Sequence, residues 1–403
     1  MPSDRVVRRR TVFYVSGFDP LGAARYHALY LAEAGKQSQR TGQQISVAER
    51  RTGQNGNPCW DISATEDGEA VQTRYEFLRW DDIVRAHWPR HWPRLLADVV
   101  STTWFYSRAG ALRRMLELSW PPFVALFAPF ALLIALLIGL PLLALAVHAG
   151  TAGVVGVPAS GVLALIAVAG GLLLGLMLER RFSMLWLMRS YAFTARQAQG
   201  LVPAMEPMLK RHAATLVQRI AAAQDDEVVL VGHSSGVMVA SAILAQALRQ
   251  DPLLGQGGPV VSLLTLGQCF PMLGCLPQAQ GLRDDLQLLA NAQAITWIDF
   301  SAPPDGCCFA LVDPVAACGV SVPGRGRDRP KLLSPKFADM FAPGVYATLR
   351  KDKFRVHFQY LMASERSVDY DYFAITAGTV TLAARFASHP SVDNYSALRL
   401  FGK

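Results

Sequence analysis

Apolar positions along this chain follow two periodicities, strand-like and helix-like, and one long interval has no charged positions at all. Apolar runs at residues 11–16, 228–231, 260–266 and 294–300 have strand length and β-branched or aromatic character. Residues 44–49 and 71–79 read as further strands, the second alternating. Helical spacing covers 22–34, 88–118, 181–224 (interrupted near Gly200 and Pro203), 237–248, 281–293, 356–363 and 371–387. Pro- and Gly-rich stretches at 301–306 and 322–330 read as loops, and no internal repeat is visible. Alternation of β and α elements with apolar strands predicts an α/β fold, a doubly wound and mostly parallel sheet covered on both faces.

The uncharged interval runs from Glu117 to Glu179 without one Asp, Glu, Lys or Arg. Residues 123–147 and 154–178 within it are each long enough to cross a hydrocarbon core, which needs roughly 20 apolar residues. Gly150-Thr151-Ala152-Gly153 is the expected turn, so the unit reads as a transmembrane hairpin inserted into the α/β domain. The chain then divides into 1–87 and 225–403 as the two parts of that domain, 88–120 as an amphipathic interfacial helix, 121–179 as the hairpin, and 180–224 as linking helices. Arg108, Arg113 and Arg114 precede the first span, Arg180, Arg181 and Arg189 follow the second, and the turn has no basic residue. The positive-inside rule therefore predicts two spans in a bacterial inner membrane, with both termini and the α/β domain cytoplasmic. Trp104, Phe105, Tyr106, Trp120, Trp186 and Tyr191 are expected as interfacial aromatics. Gly171 and Gly175 offer a small face for close helix approach, and Pro141 a potential kink.

The formal net charge of +8 comes mainly from arginines that no recognition helix organises, so a lipid bilayer with anionic headgroups is the expected partner and nucleic acid is not. Arg5, Arg8, Arg9 and Arg10 precede an apolar stretch too short for a signal peptide, and Asp19 and Arg25 soon interrupt it with charge. Six cysteines, at 59, 269, 275, 307, 308 and 318, show no C-x-x-C pair and no histidine at metal spacing. They are expected as reduced thiols, with no metal and no cofactor. His27, His87, His91, His148 and His212 read as surface or interface histidines.

Candidate chemistry centres on Gly232-His233-Ser234-Ser235-Gly236, which comes directly after the strand at 228–231 and opens a run of helix formers. A G-x-S-x-G turn between strand and helix lifts the central hydroxyl above the carboxyl end of the strand, with the helix N-terminus behind it. Gly232 and Gly236 are the small residues such an elbow requires. The phosphate-loop alternative lacks Gly-x-x-x-x-Gly-Lys and any basic residue at the turn. A serine needs an imidazole to take its proton and a carboxylate to orient that imidazole. Asp305 lies in the loop just past the strand at 294–300, with Asp299 and Asp313 as alternatives. His357 lies in an apolar setting ahead of a helix, with His389 as the alternative. His233 is expected to pack rather than catalyse. Two backbone N–H groups should bind a developing oxyanion: Ser235, next to the nucleophile, and Phe18 in the turn after the first strand, with Asp19 the alternative.

With these motifs the chain resembles an α/β-hydrolase-fold serine hydrolase of the lipase or esterase kind, over roughly residues 11–85 and 199–403. The resemblance implies Ser234 as nucleophile, His357 as base and Asp305 as orienting acid. Ser16-Gly17 stands where such lipases often carry His-Gly. The resulting expectation is a membrane-anchored hydrolase that cleaves an ester or thioester of a lipid or acyl substrate through an acyl-serine intermediate. The alternative is a non-catalytic membrane adaptor on the same scaffold.

Overall fold

The computed structural model of the chain describes residues 6–66, 68–326, 328–393 and 395–400, so Arg5 lies outside the described residues. The fold is mixed α/β, built on a nine-stranded sheet: β1 (Arg9–Val15), β2 (Gln44–Val47), β3 (Arg51–Thr52), β4 (Pro58–Glu66), β5 (Glu69–Phe77), β6 (Glu227–His233), β7 (Val260–Leu266), β8 (Ile295–Phe300) and β9 (Lys331–Leu333). The order is β2-β4-β5-β1-β6-β7-β8-β9, with β3 paired to β4. From β5 to β9 every pairing is parallel, while β2, β3 and β4 run antiparallel at one edge. The sequence pattern does not indicate β3, β4 or β9. In β4 the inward Trp60, Ile62 and Ala64 alternate with Asp61, Ser63 and Thr65, and β9 is only three residues long.

Strand periodicity supplies two cores. Phe13, Leu230, Leu263 and Trp297 face one layer, and their neighbours Tyr14, Val231, Leu264 and Ile298 face the other. Helices Met205–Ala221 and Gly236–Gln250 cover the first face, and helix Ala23–Thr41 with the C-terminal helices covers the second. After β1 the chain moves outward to β5, and after β6 it moves the other way to β7. The crevice between the carboxyl ends of β1 and β6 is therefore the switch point, where open parallel sheets bind their ligands.

At the opposite end of those two strands Arg10 and Glu227, both fully buried, form an ion pair at 2.7 Å. Arg10 also donates to the carbonyls of Gly378 and Val380, and Glu227 accepts from Leu382 N–H. The pair thus locks β1, β6 and the C-terminal helices together.

Two helices are long and apolar enough to cross a membrane, Trp120–Val155 and Val157–Phe182. Their turn is at Gly156, not at residues 150–153: Gly156 takes φ 82°, whereas Gly150 and Gly153 stay helical. The first helix widens to a π-helical turn at Ala135–Gly139, beside Pro141, whose missing N–H leaves the Leu137 carbonyl without its helical donor. Gly171 and Gly175 lie against Leu140 and Leu136, where a Cβ on Gly171 would collide with the Leu140 side chain. Residues 88–120 form two helices, Trp92–Arg108 and Ala111–Leu118, broken at the left-handed Gly110. Two of the expected interfacial aromatics are instead interior: Tyr106 donates to the Met272 carbonyl and Tyr191 to the Pro122 carbonyl.

Glu227→Ala leaves Arg10 as an uncompensated buried charge, which costs roughly 3–5 kcal/mol. Thermal unfolding in detergent should show this loss, and a variant as stable as the parent would contradict it.

Candidate active site

Strand ends set Ser234, Asp305 and the turn at Gly17, and a helix late in the chain sets His357. Ser234 comes directly after β6 and takes φ 57°, a strained value for a residue with a side chain, and its N–H donates to the Leu266 carbonyl at 2.9 Å. The flanking glycines are required by close approach. A Cβ on Gly232 would lie 2.7 Å from Val237 Cα, and one on Gly236 would run into the Ser16 carbonyl. Gly17, after β1, is equally tight, since its Cβ would lie 2.9 Å from that of Ser234. Helix Gly236–Gln250 begins behind the half-buried Ser234 and directs its positive end there.

The loop after β8 and the helix Lys353–Phe358 bring Asp305 and His357 together. His357 Nδ1 lies 2.9 Å from Asp305 Oδ2 and 3.1 Å from Oδ1. A carboxylate only accepts, so Nδ1 holds a proton, and in the neutral ring the lone pair is then on Nε2. The buried Asp305 also accepts from Cys307 N–H at 3.0 Å and from the Tyr360 hydroxyl at 3.2 Å, and that hydroxyl accepts from Ala302 N–H. Burial pushes the Asp305 carboxyl up, but the charge and hydrogen bond of His357, with help from Cys307 N–H, outweigh it and hold the carboxyl below its usual range. His233 donates from Nε2 to the His357 carbonyl at 2.9 Å, so it braces the backbone of its neighbour. Burial pushes its pKa down to about 3, which leaves it neutral.

Ser234 and His357 line one cleft, with about 600 Å³ of empty space including the open mouth. No hydrogen bond joins them among the described residues. Phe18, Tyr26, Phe354 and Phe358 form its aromatic walls, and Phe182 at the end of the second apolar helix, Ser183, and Trp186 and Leu187 of the following helix Met184–Ala198 line it as well. Of the expected oxyanion donors, Ser235 N–H has no acceptor among the described residues, whereas Phe18 N–H donates to the Ser235 hydroxyl at 2.8 Å. Asp19 N–H is taken up by the Gly17 carbonyl.

The alternative partners lie elsewhere. Asp299 is buried in β8, accepting from the Thr265 and Ser301 hydroxyls, and burial raises its pKa to about 7. Asp313 caps helix Pro314–Ala317 and pairs with Arg325. His389 pairs with Asp369 at 3.4 Å. His212 is not a surface histidine: it is buried on the Arg79 carbonyl, with burial lowering its pKa to about 4.

Asp305, Cys307 and His357 each offer a donor atom within 4.8 Å of the others. The Asp305 oxygens are already engaged, and burial drives the Cys307 thiol well above its usual range, so the set suits proton handling better than a metal. Sequence reasoning missed Tyr360 and Cys307. Both sit within three residues of a predicted partner, which was the available signal. Comparisons with protein-family models, with curated proteins and with solved structures find no match.

The Asp299 pKa gives a signed expectation. It lies above the unfolded value of about 3.9, so the stability this group contributes is complete below about pH 4 and lost as pH rises through 7. Asp299→Asn should therefore gain in thermal midpoint relative to the parent between pH 5 and pH 8. An offset that stays constant across this range would contradict a neutral carboxyl.

Proposed function

We propose that the chain is a serine hydrolase of the α/β-hydrolase kind, held at a membrane by its hairpin and cleaving an ester or thioester. The observation that carries this reading is a strained serine at the switch point, sharing a cleft with a histidine whose tautomer a buried carboxylate fixes. In the reaction, His357 Nε2 takes the Ser234 proton as Oγ bonds the acyl carbon. Apo hydrogen bonds of this kind are commonly long and tighten with substrate. Ser235 N–H faces the developing oxyanion, and Phe18 N–H joins it once the Ser235 hydroxyl turns aside. His357 then returns its proton to the leaving alcohol or thiol, and water repeats the sequence to free the acid.

The lining of the cleft by Phe182, at the end of an apolar helix, and by Trp186 just beyond it supports a lipid or long-chain acyl substrate, drawn from the bilayer. The arginines flanking both helices support a cytoplasmic placement in a bacterial inner membrane.

A fluorophosphonate probe should label the purified protein. Labelling should vanish in Ser234→Ala, fall on the order of a hundredfold or more in His357→Ala, and persist in His389→Ala. No labelling of the parent would leave a non-catalytic scaffold. Membranes from cells expressing the parent or Ser234→Ala should differ in their lipid profile, and identical profiles would count against a lipid substrate.

A further inference from the structure

The cleft contains one cation that the proposed acyl transfer does not use. Lys353 lines it and, among the described residues, pairs with no carboxylate. Its neighbour Asp352 is turned to the helix start, accepting from Arg355 N–H. Of the other charges lining or flanking the cleft wall, Arg25 and Asp19 offset each other. Arg25 lies 3.6 Å from Asp19 and over the face of Phe358, at 4.9 Å from the ring centroid. His233 is neutral, and Asp305 lies beneath the floor with its oxygens occupied. Lys353 lines the same cleft as Cys307, two residues beyond Asp305. A half-buried ammonium in an aromatic-walled cleft, with no internal counter-ion, favours an anion there over water alone.

The height of this ammonium relative to the apolar helices narrows the choice. Arg181, at the end of the second apolar helix, donates to the Lys351 carbonyl, which ties the segment before Lys353 to the point where that helix ends. Arg180 and Arg181 are exposed there. If the helices cross a bilayer, Lys353 stands at the headgroup level while the aromatic walls extend toward Ser234.

We propose that the substrates are anionic acyl esters, with the Lys353 ammonium holding a phosphate or carboxylate on the leaving group and the aromatic walls holding the acyl chain. This rests on the hydrolase reading above. The acyl C–O bond breaks as the Ser234 ester forms, and the anionic alcohol departs with the proton from His357. Water then cleaves the acyl-serine to acid and free serine, so no further reactant is needed.

Two measurements test it. In the first, decyl phosphate, decanol and inorganic phosphate are titrated calorimetrically into Ser234→Ala protein in non-ionic detergent, which needs no turnover. Decyl phosphate should bind about tenfold tighter than decanol, and Lys353→Gln should erase the difference. Arg180→Gln/Arg181→Gln should retain it. Equal affinities, a preference that survives Lys353→Gln or is lost in the arginine double variant, or inorganic phosphate binding as tightly as decyl phosphate would each overturn the inference. In the second, the parent should hydrolyse monobutyryl glycerol phosphate with a kcat/KM about tenfold above that for monobutyrin, both being monomeric in solution. Lys353→Gln should bring the two to parity. Turnover of the neutral ester without a preference defeats the anion subsite alone. No turnover of either ester defeats the hydrolase reading, and the titration still decides whether Lys353 holds an anion.

Discussion

The site depends on how closely two backbones can approach at the carboxyl ends of β1 and β6. The Ser16 carbonyl occupies the space a side chain at Gly236 would need, and Gly17 lies against the Cβ of Ser234. Only with glycine at these positions can the turn after β6 be tight enough to hold Ser234 at a positive φ while helix Gly236–Gln250 starts immediately behind it. Phe18 N–H to the Ser235 hydroxyl fastens the same two turns together. The crevice, the raised hydroxyl and the free Ser235 N–H all arise from this contact. The Arg10–Glu227 pair holds the far ends of the same strands, so the geometry is fixed at both ends of the sheet.

Below the crevice, a second constraint governs the charge. Asp305 is fully buried, and it stays ionised because His357, Cys307 N–H and the Tyr360 hydroxyl are all directed at it. This is the opposite outcome from Asp299, which is as deeply buried but is met by hydroxyls alone and has its pKa raised to about 7. Two carboxyls in neighbouring positions thus have their pKa values moved in opposite directions because only one faces an imidazole. The inserted apolar helices adjoin the same unit: the second ends at Phe182, which lines the cleft together with Ser234.

Much of this was legible in the sequence because it rests on short-range rules. The strands at β1, β6, β7 and β8 announced themselves as apolar runs, and the elbow as a spacing of glycines. The contact of Asp305 with His357 was anticipated from chain order and loop position. The features that stayed hidden depend on tertiary placement. β4 alternates apolar with polar residues at the antiparallel edge of the sheet, and β9 is too short to show a period. The hairpin turn falls at Gly156 and not at 150–153, since helical glycines and turn glycines look alike until φ is known. Tyr106 and Tyr191 read as membrane-interface aromatics and His212 as a surface or interface histidine, but each is buried on a backbone carbonyl that no local pattern reveals.

The central claim is that Ser234, and not the neighbouring Cys307 thiol, accepts the acyl group. Rapid acid quench of the parent protein with a slowly turned-over activated ester, followed by peptide mass mapping, tests it most directly. An acyl adduct on the peptide carrying Ser234, absent in Ser234→Ala, is the expected result. An adduct on Cys307, or none at all under conditions where the ester is consumed, would contradict it.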